Sequence, residues 1–208
     1  MTPSLLQALD VSCERGGRQL FQPVQFELHA GAALHLEGDN GAGKTTLLRA
    51  LSGLSPLSQG KVLWRGVPTQ EAGSEFKREL LYLGHALGLK DELTALENVQ
   101  LNAAMAGQSL RREEALQALA TQGLKSRAHL PLRVLSQGQK RRVALARLQV
   151  AQAKLWLLDE PFVALDADAV QALQVLLQQH VALGGALVFT SHQTVNLGAA
   201  VQSLRLQA

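Results

Sequence analysis

The chain has 208 residues, of which 47% are hydrophobic and 18% are charged, and this composition excludes an intrinsically disordered protein. The net charge is only +3, and the densest basic cluster, Lys140-Arg141-Arg142, spreads around a predicted helix, so we expect no nucleic-acid partner. A single cysteine excludes an intrachain disulfide, and because no run of about 18 consecutive apolar residues occurs, we expect no membrane-spanning helix.

The first predicted elements are two antiparallel strands. Apolar and polar residues alternate over residues 9–13 and 24–28, and a turn that contains Gly16 and Gly17 lies between the two stretches. A third, apolar strand over residues 32–36 leads directly into a glycine-rich segment. A helix over residues 45–51 follows, so the segment connects a strand to a helix.

The glycine-rich segment has the pattern of a phosphate-binding loop, in which Gly, four residues and Gly-Lys-Thr stand between a strand and a helix. Glycines accept positive φ, so the backbone N–H groups can curl around an anion at the N-terminus of the helix. We expect Lys44 to reach the β- and γ-phosphates of a nucleoside triphosphate, and the Thr45 hydroxyl to bind Mg²⁺. The predicted nucleotide-binding residues of this segment are Gly38, Asp39, Asn40, Gly41, Ala42, Gly43, Lys44, Thr45 and Thr46.

The middle of the chain changes from mixed elements to helices near residue 85. Residues 61–64 predict a short strand, and the apolar residues 80–83 predict a buried central strand. Beyond them the pattern predicts a helix opened by the capping-box pair Thr94 and Glu97, and a second helix over residues 111–122. A third helix is predicted over residues 140–151. This stretch therefore predicts a helical insertion between strands.

Strands return in the C-terminal part of the chain. Residues 154–158 and 186–190 are apolar, a helix is predicted between them over residues 168–183, and residues 201–206 predict a final strand. Buried strands that alternate with helices predict an α/β fold: a mostly parallel sheet with helices on both faces, plus an antiparallel β region. We expect one domain, with residues 1–84 and 152–208 as the core and about 85–151 as the helical subdomain.

Two acidic residues follow the strand at residues 154–158. Asp159 and Glu160 come after four apolar residues, and a carboxylate at the carboxyl end of a strand lies where α/β sheets gather their ligands. We expect Asp159 to hold Mg²⁺, directly or through water, and Glu160 to polarise the attacking water as a general base.

The segment Leu135-Ser136-Gln137-Gly138-Gln139 opens the third predicted helix. Ser136 is a good N-cap, and Gly138 lets backbone amides approach an anion closely. The segment resembles the Leu-Ser-Gly-Gly-Gln signature of ATP-binding cassette (ABC) ATPases, with Gln137 in place of the first glycine. Two further stretches resemble that family in the same order: residues 164–166, similar to the D-loop between cassettes, and His192, similar to the switch histidine that contacts the γ-phosphate.

Two positions depart from the pattern of the ABC family. The glutamine of the family's Q-loop falls on His85, and the sequence has no glutamine between Gln70 and Gln100. The aromatic residue that stacks on adenine in the family falls on Arg15. Because a guanidinium plane can stack on a base and an imidazole can form hydrogen bonds towards Mg²⁺ or water, we expect both residues to belong to the nucleotide site.

The resemblance implies an ATPase that works as a pair. In this family the signature of one chain completes the ATP site of a second copy, so Ser136 and Gly138 are expected to act opposite the other chain's Lys44, Thr45, Asp159, Glu160 and His192. Finer features, including Tyr82-Leu83-Gly84-His85, resemble the ATP-binding subunits of the cytochrome c biogenesis system, the haem exporter. That branch implies ATP and Mg²⁺ as ligands, integral membrane subunits as partners and a peripheral location on the cytoplasmic face of the bacterial inner membrane.

Other functions of P-loop proteins fit the sequence less well. A soluble ABC ATPase that acts on ribosomes or DNA usually carries two cassettes or a long coiled-coil insertion, and the sequence has neither. A GTPase would need an Asn-Lys-x-Asp motif, which the sequence lacks, and a P-loop kinase would leave residues 135–139 unexplained. A short ABC cassette that exports another substrate remains the main alternative, because the residues alone do not identify the cargo.

Overall fold

The computed structural model describes residues 4–193, 195–197 and 201–207. The strands are β1 (Ser4–Ser12), β2 (Glu14–Arg15), β3 (Arg18–Gln19), β4 (Val24–His29), β5 (Ala33–Glu37), β6 (Gln59–Trp64), β7 (Val67–Pro68), β8 (Leu80–Leu83), β9 (Leu155–Leu158), β10 (Ala186–Thr190) and β11 (Val201–Arg205). The helices are α1 (Lys44–Leu51), α2 (Thr69–Glu79), α3 (Ala95–Met105), α4 (Arg112–Thr121), α5 (Gln137–Val150) and α6 (Ala167–Ala182). None of the helices in the described part of the chain is long and apolar enough to cross a membrane.

A five-stranded parallel sheet carries the segments that precede the candidate site. Its strand order is β11-β5-β10-β9-β8, and every neighbouring pair in it is parallel. All residues of β9 and β10 are buried, as expected for strands covered on both faces. This sheet confirms the predicted α/β class with a parallel core.

The position of β8 corrects one prediction. The sequence predicts that residues 80–83 form a central strand, whereas β8 pairs only with β9 and forms an edge of the sheet as the structure describes it. Leu81 and Leu83 are buried, but Leu80 and Tyr82 are only half-buried. A short apolar run in the sequence indicates a largely buried strand. The place of that strand in the sheet depends on the crossover connections between strands, which four residues do not encode.

A second, antiparallel sheet has the order β4-β1-β6-β7. It includes the two antiparallel strands predicted near the N-terminus, and β1 is longer than the predicted 9–13. β1 bulges at Asp10, whose φ is 48°, and the register with both neighbours shifts there. Gly60 lies against the bulge, because a Cβ at this position would be 2.3 Å from the Asp10 carbonyl oxygen. The bulge therefore requires glycine in the neighbouring strand.

The helix α2 was not predicted. Its sequence has an interior glycine, Gly73, with φ 49° and ψ −115°, so the helix is kinked there, and Pro68 at its N-cap provides no side-chain hydrogen bond. A sequence with a helix breaker inside and no cap gives no helical signal. Only Phe76 of α2 is buried, and it packs beside Trp64 of β6 with ring centroids 5.7 Å apart.

The chain divides into two compact units. One consists of residues 1–84, 153–161 and 177–208 and contains the strands β1 to β11; the other consists of residues 85–152 and 162–176. In the second unit, α3, α4 and α5 share one apolar core whose buried residues include Ala95, Leu96, Val99, Ala115, Leu119, Val143 and Ala146. The sequence placed residues 162–176 with the core, whereas they group with this helical unit.

The first turn of α3 has the structure that the sequence predicts for a helix start. Thr94 and Glu97 form the predicted capping box, with Thr94 Oγ1 accepting from the Glu97 N–H at 3.2 Å. Asn98 is fully buried, and its amide donates to the carbonyl oxygens of Lys90 and Thr94, both at 2.9 Å, while its Oδ1 accepts from the Lys90 N–H. The Glu97-Asn98 pair therefore fixes both the helix start and the loop before it.

Candidate functional site

The phosphate-binding loop connects β5 to α1. Gly38, Gly41 and Gly43 have φ values of 143°, 88° and 95°, in the region that favours glycine. Gly43 is also the N-cap of α1, and a Cβ there would lie 2.7 Å from Cδ1 of Phe21, which is buried. The loop therefore needs glycine at position 43 both for its backbone conformation and for the close approach of Phe21.

Lys44 is the first residue of α1, and its side chain folds back over the loop. Lys44 Nζ donates to the carbonyl oxygens of Gly38 at 2.6 Å and Asp39 at 3.1 Å. The ammonium group therefore lies inside the ring of backbone that the glycines form. This is the place where a lysine meets the phosphates of a bound nucleotide in a loop of this type.

Thr45 and Asp159 meet in space although they are far apart in the sequence. Thr45 Oγ1 donates to Asp159 Oδ2 at 2.8 Å, and Asp159 is only 3% exposed. The Asp159 N–H in turn donates to the Leu83 carbonyl oxygen, which holds the end of β9 beside β8. A hydroxyl and one carboxylate are oxygen ligands of the kind that Mg²⁺ uses together with substrate phosphates, so this pair fits a magnesium site.

Thr190 is a residue of the site that the sequence did not indicate as functional. It ends β10 and is fully buried, its Oγ1 accepts from the Glu160 N–H at 2.8 Å, and it donates to Asp159 Oδ1 at 3.0 Å. One hydroxyl therefore orients both acidic residues. Threonine is common in strands, so only its position as the polar last residue of an apolar strand could have marked it.

Glu160 and His192 lie beside each other. His192 Nε2 is 3.4 Å from Glu160 Oε1, and the side chain of His192 is 62% exposed whereas that of Glu160 is 20% exposed. Glu160 has a φ of 49°, a conformation that costs a non-glycine residue on the order of 1 kcal/mol or more and is concentrated at functional sites. The backbone thus holds the Glu160 carboxylate at the end of β9 in a strained conformation.

One cavity of about 270 Å³ brings most of the predicted residues together. Its lining includes residues 39–41 and 43–46 of the loop, the pair Asp159 and Glu160, His192 and also Arg15 of β2, whereas Gly38 and Ala42 are not part of it. Arg15 lies in the small hairpin of β2 and β3, which forms a two-stranded sheet of its own. The predicted contact of Arg15 with a base remains a prediction, and its place on the cavity wall is compatible with it.

The signature-like segment lies in the helical unit. Ser136 is the N-cap of α5, where its Oγ accepts from the Gln139 N–H at 3.2 Å and its own N–H donates to Gln139 Oε1 at 3.0 Å. The predicted cap is confirmed, although the helix begins at Gln137 and not at residue 140. His85 is exposed and is the first residue of the same unit, and its role in the nucleotide site remains a prediction.

A groove of about 530 Å³ in the helical unit contains Ser136 and Gly138 together with residues 164–166. A Cβ at Gly138 would lie 3.3 Å from the carbonyl oxygen of Ala164, which itself has a φ of 61°. Arg142 of α5 pairs with Asp166, and Asp166 Oδ1 also accepts from the Ala169 N–H at the start of α6. These contacts hold the segments at residues 135–139 and 164–166 side by side.

Comparison with known proteins decides the family. A protein-family model described as ABC transporter matches residues 21–163. The cytochrome c biogenesis ATP-binding export protein CcmA of Nitrosospira multiformis is 45% identical over 202 residues, covering 97% of this chain and 98% of the relative. The protein of the same description from Pseudomonas aeruginosa is 46% identical over 204 residues, covering 98% and 100%. The chain belongs to the ABC transporter family.

Within the ABC transporter family, the chain belongs with the cytochrome c biogenesis ATP-binding export proteins. A solved structure described as the ATP-binding subunit of an ABC transporter superposes with a TM-score of 0.80 at 26% identity, covering 91% of this chain and 80% of that one. A dimeric ATP-binding cassette with bound ADP and Pi superposes with a TM-score of 0.84 at 23% identity, covering 98% and 97%. The second likeness shows the shared fold.

The position of Gln137 in α5 explains why this chain can depart from the ABC signature there. Residue 137 is the first residue of α5 and is exposed, so its backbone is helical and its side chain points away from the core. An L-residue fits this conformation without strain, so glycine is not required there. Gly138, by contrast, lies against Ala164, and there the family's glycine is kept.

Proposed function

We propose that the chain binds and hydrolyses ATP, with Mg²⁺, as the energy-supplying subunit of an ABC transporter for cytochrome c biogenesis. The observation that carries this proposal is the single cavity lined by Lys44, Thr45, Asp159, Glu160 and His192. A positive group, two magnesium ligands and a carboxylate next to an imidazole are what phosphoryl transfer to water requires.

Each residue has a role that follows from its position. Lys44 neutralises charge on the β- and γ-phosphates, and Thr45 and Asp159 hold Mg²⁺, which when bound withdraws charge from the phosphate oxygens. Glu160 accepts the proton of the attacking water as a general base. His192, at 3.4 Å from the Glu160 carboxylate, donates to the γ-phosphate and orients the base. The site supplies mainly position and charge, with little covalent chemistry.

The proposed working unit is a pair of chains arranged head to tail. Ser136 is exposed at the N-terminus of α5, and Gly138 leaves backbone amides accessible in an open groove, so both can meet the γ-phosphate held by another chain. Such a head-to-tail pair closes with two identical sites. A solved cassette with the same fold is described as dimeric, which supports a pair as the working unit.

The proposed cargo and location come from the relatives. They are named as export proteins of cytochrome c biogenesis, so we place this chain on the cytoplasmic face of the bacterial inner membrane, with integral membrane subunits that handle haem for c-type cytochromes. An ABC exporter for another substrate is the alternative, because no feature of the described residues identifies the cargo.

Purification from membranes tests this assignment. A tagged chain, extracted in mild detergent with its native partners, is expected to bring down integral membrane subunits, and strains that lack the chain are expected to lose holo-cytochromes c, measured by haem staining. The Glu160→Gln chain is the matched control, since it should assemble equally well but not restore the cytochromes. Normal cytochrome c levels in the deletion strain would contradict the proposed cargo and leave the ATPase proposal intact.

A further inference from the structure

His35 links the strand before the phosphate-binding loop to the loop that carries His192. It lies on β5, opposite Phe189 of β10 in the sheet register. Its Nε2 is 3.1 Å from the carbonyl oxygen of Ser191, which is the residue directly before His192. No role follows for this histidine from the sequence motifs, because it precedes the loop motif by three residues and falls in an apolar strand.

The orientation of the His35 ring is set by a hydrogen bond and by stacking on a neighbouring ring. A carbonyl oxygen only accepts hydrogen bonds, so Nε2 carries the proton and donates to Ser191. The ring stacks on Phe189 with centroids 4.8 Å apart and an interplanar angle of 6°. With 20% of its side chain exposed, His35 is therefore held as a rigid donor.

Thr190 and Ser191 form further hydrogen bonds at the end of β10. The Thr190 hydroxyl is hydrogen-bonded to the Glu160 N–H and to Asp159 Oδ1. Ser191 Oγ accepts from the Gln193 N–H at 2.9 Å. Among the contacts of the described residues, the hydrogen bond from His35 ties the backbone of residue 191 to β5. Because the His192 side chain is 62% exposed, its approach to Glu160 depends on where this backbone is held and not on packing around the imidazole.

We propose that His35 is a positioning residue that fixes the Ser191 carbonyl and thereby places His192 beside Glu160 for ATP hydrolysis. The proposal rests on the proposed ATPase function, since it deepens the role of the same site. His35 acts through the backbone before His192 and touches no reacting atom. Its removal should therefore slow the chemical step and leave nucleotide binding by the loop unchanged.

Two substitutions separate the hydrogen bond from packing. His35→Phe keeps a ring against Phe189 but removes the donor, whereas His35→Gln offers an amide N–H at a similar reach. In the transporter purified with its membrane subunits, we expect His35→Phe to lower kcat about three- to tenfold with KM for ATP changed less than about twofold. His35→Gln is expected to recover at least about half of the wild-type kcat. A wild-type kcat in His35→Phe, or equal losses in both variants, would overturn the proposal.

Hydrogen exchange provides a readout that does not depend on hydrolysis. Amides of residues 191–193 are expected to exchange at least about fivefold faster in His35→Phe than in the wild type, and to slow again in His35→Gln. Unchanged exchange in His35→Phe would refute the anchoring role. A wild-type transporter without ATPase activity would instead refute the proposed function, and the exchange rates would still decide for or against the anchor.

Discussion

At the scale of single residues, the proposed mechanism gives different roles to two neighbouring carboxylates. Asp159 is buried and accepts hydrogen bonds from Thr45 and Thr190, which suits a carboxylate that holds a cation. Glu160 turns away from the strand in a left-handed conformation and faces the exposed imidazole of His192. The bend at Glu160 therefore points the two neighbouring side chains in different directions, as their proposed roles require.

If Glu160 is the general base, its substitution should slow ATP hydrolysis without changing ATP binding. Glu160→Gln keeps the size and the backbone but cannot accept the proton, so kcat for ATP hydrolysis should fall at least about a hundredfold. Binding should be unchanged, because the loop and Lys44 hold the phosphates. Equilibrium binding of ATP and steady-state phosphate release measure the two effects, and normal turnover in this variant would show that Glu160 is not the base.

The hydroxyl of Thr190 predicts a second effect on catalysis. Thr190→Val is nearly isosteric but removes the hydrogen bonds to the Glu160 N–H and Asp159 Oδ1, which should lower kcat about tenfold, equivalent to ~1.4 kcal/mol. Thr190→Ser keeps the hydroxyl and is the control, with an expected activity close to the wild type. Phosphate release measures both. Equal rates for the valine and serine variants would mean that the hydroxyl has no part in orienting the acids.

At the scale of elements, the strands and loops around the site illustrate what a sequence encodes locally. The loop at residues 38–45 was predictable because glycines, lysine and threonine at fixed spacing have a physical reason to be there. The place of Thr190 was not, because its partners Asp159 and Glu160 come from a strand that is adjacent only in the folded sheet. The bulge at Asp10 likewise depends on contacts between elements, as does the edge position of β8.

The packing of α6 on β9 predicts a pH effect on stability. His180 stacks on Trp156 with ring centroids 3.8 Å apart, and a Cβ at Gly185 would lie 2.2 Å from Cε1 of the His180 ring. Burial lowers the pKa of His180 from 6.5 to about 4. Between these values the unfolded chain binds a proton that the folded chain does not, so the free energy of unfolding should fall as the pH drops from about 6.5 to 4, by at most ~3 kcal/mol.

The control for this prediction is His180→Gln, whose side chain does not titrate. Urea denaturation of both proteins at several pH values between 4 and 7 gives the free energies of unfolding. We expect the wild type to lose stability more steeply than the variant over this interval, whatever the difference between them at pH 7. Parallel pH profiles for the two proteins would show that His180 does not contribute.

At the scale of the whole molecule, the two halves of the proposed ATP site lie in different units. The cavity with Lys44, Asp159 and Glu160 belongs to the unit that contains the sheets, whereas the groove with Ser136 and Gly138 belongs to the helical unit. In the proposed head-to-tail pair, each cavity is completed by the groove of the other chain. A defect in one half should therefore be corrected by a partner chain with a defect in the other half.

Complementation between two inactive variants tests this most directly. Ser136→Arg places a bulky cation at the groove but leaves the cavity intact, and Glu160→Gln does the reverse. Each alone should lack ATPase activity, whereas co-expression with the membrane subunits forms mixed dimers that each hold one complete site, with an expected rate about a quarter of the wild type. Activity restored in the mixture is the predicted result. If the mixture stays as inactive as the single variants while mixed dimers are present by mass spectrometry, the shared site is contradicted.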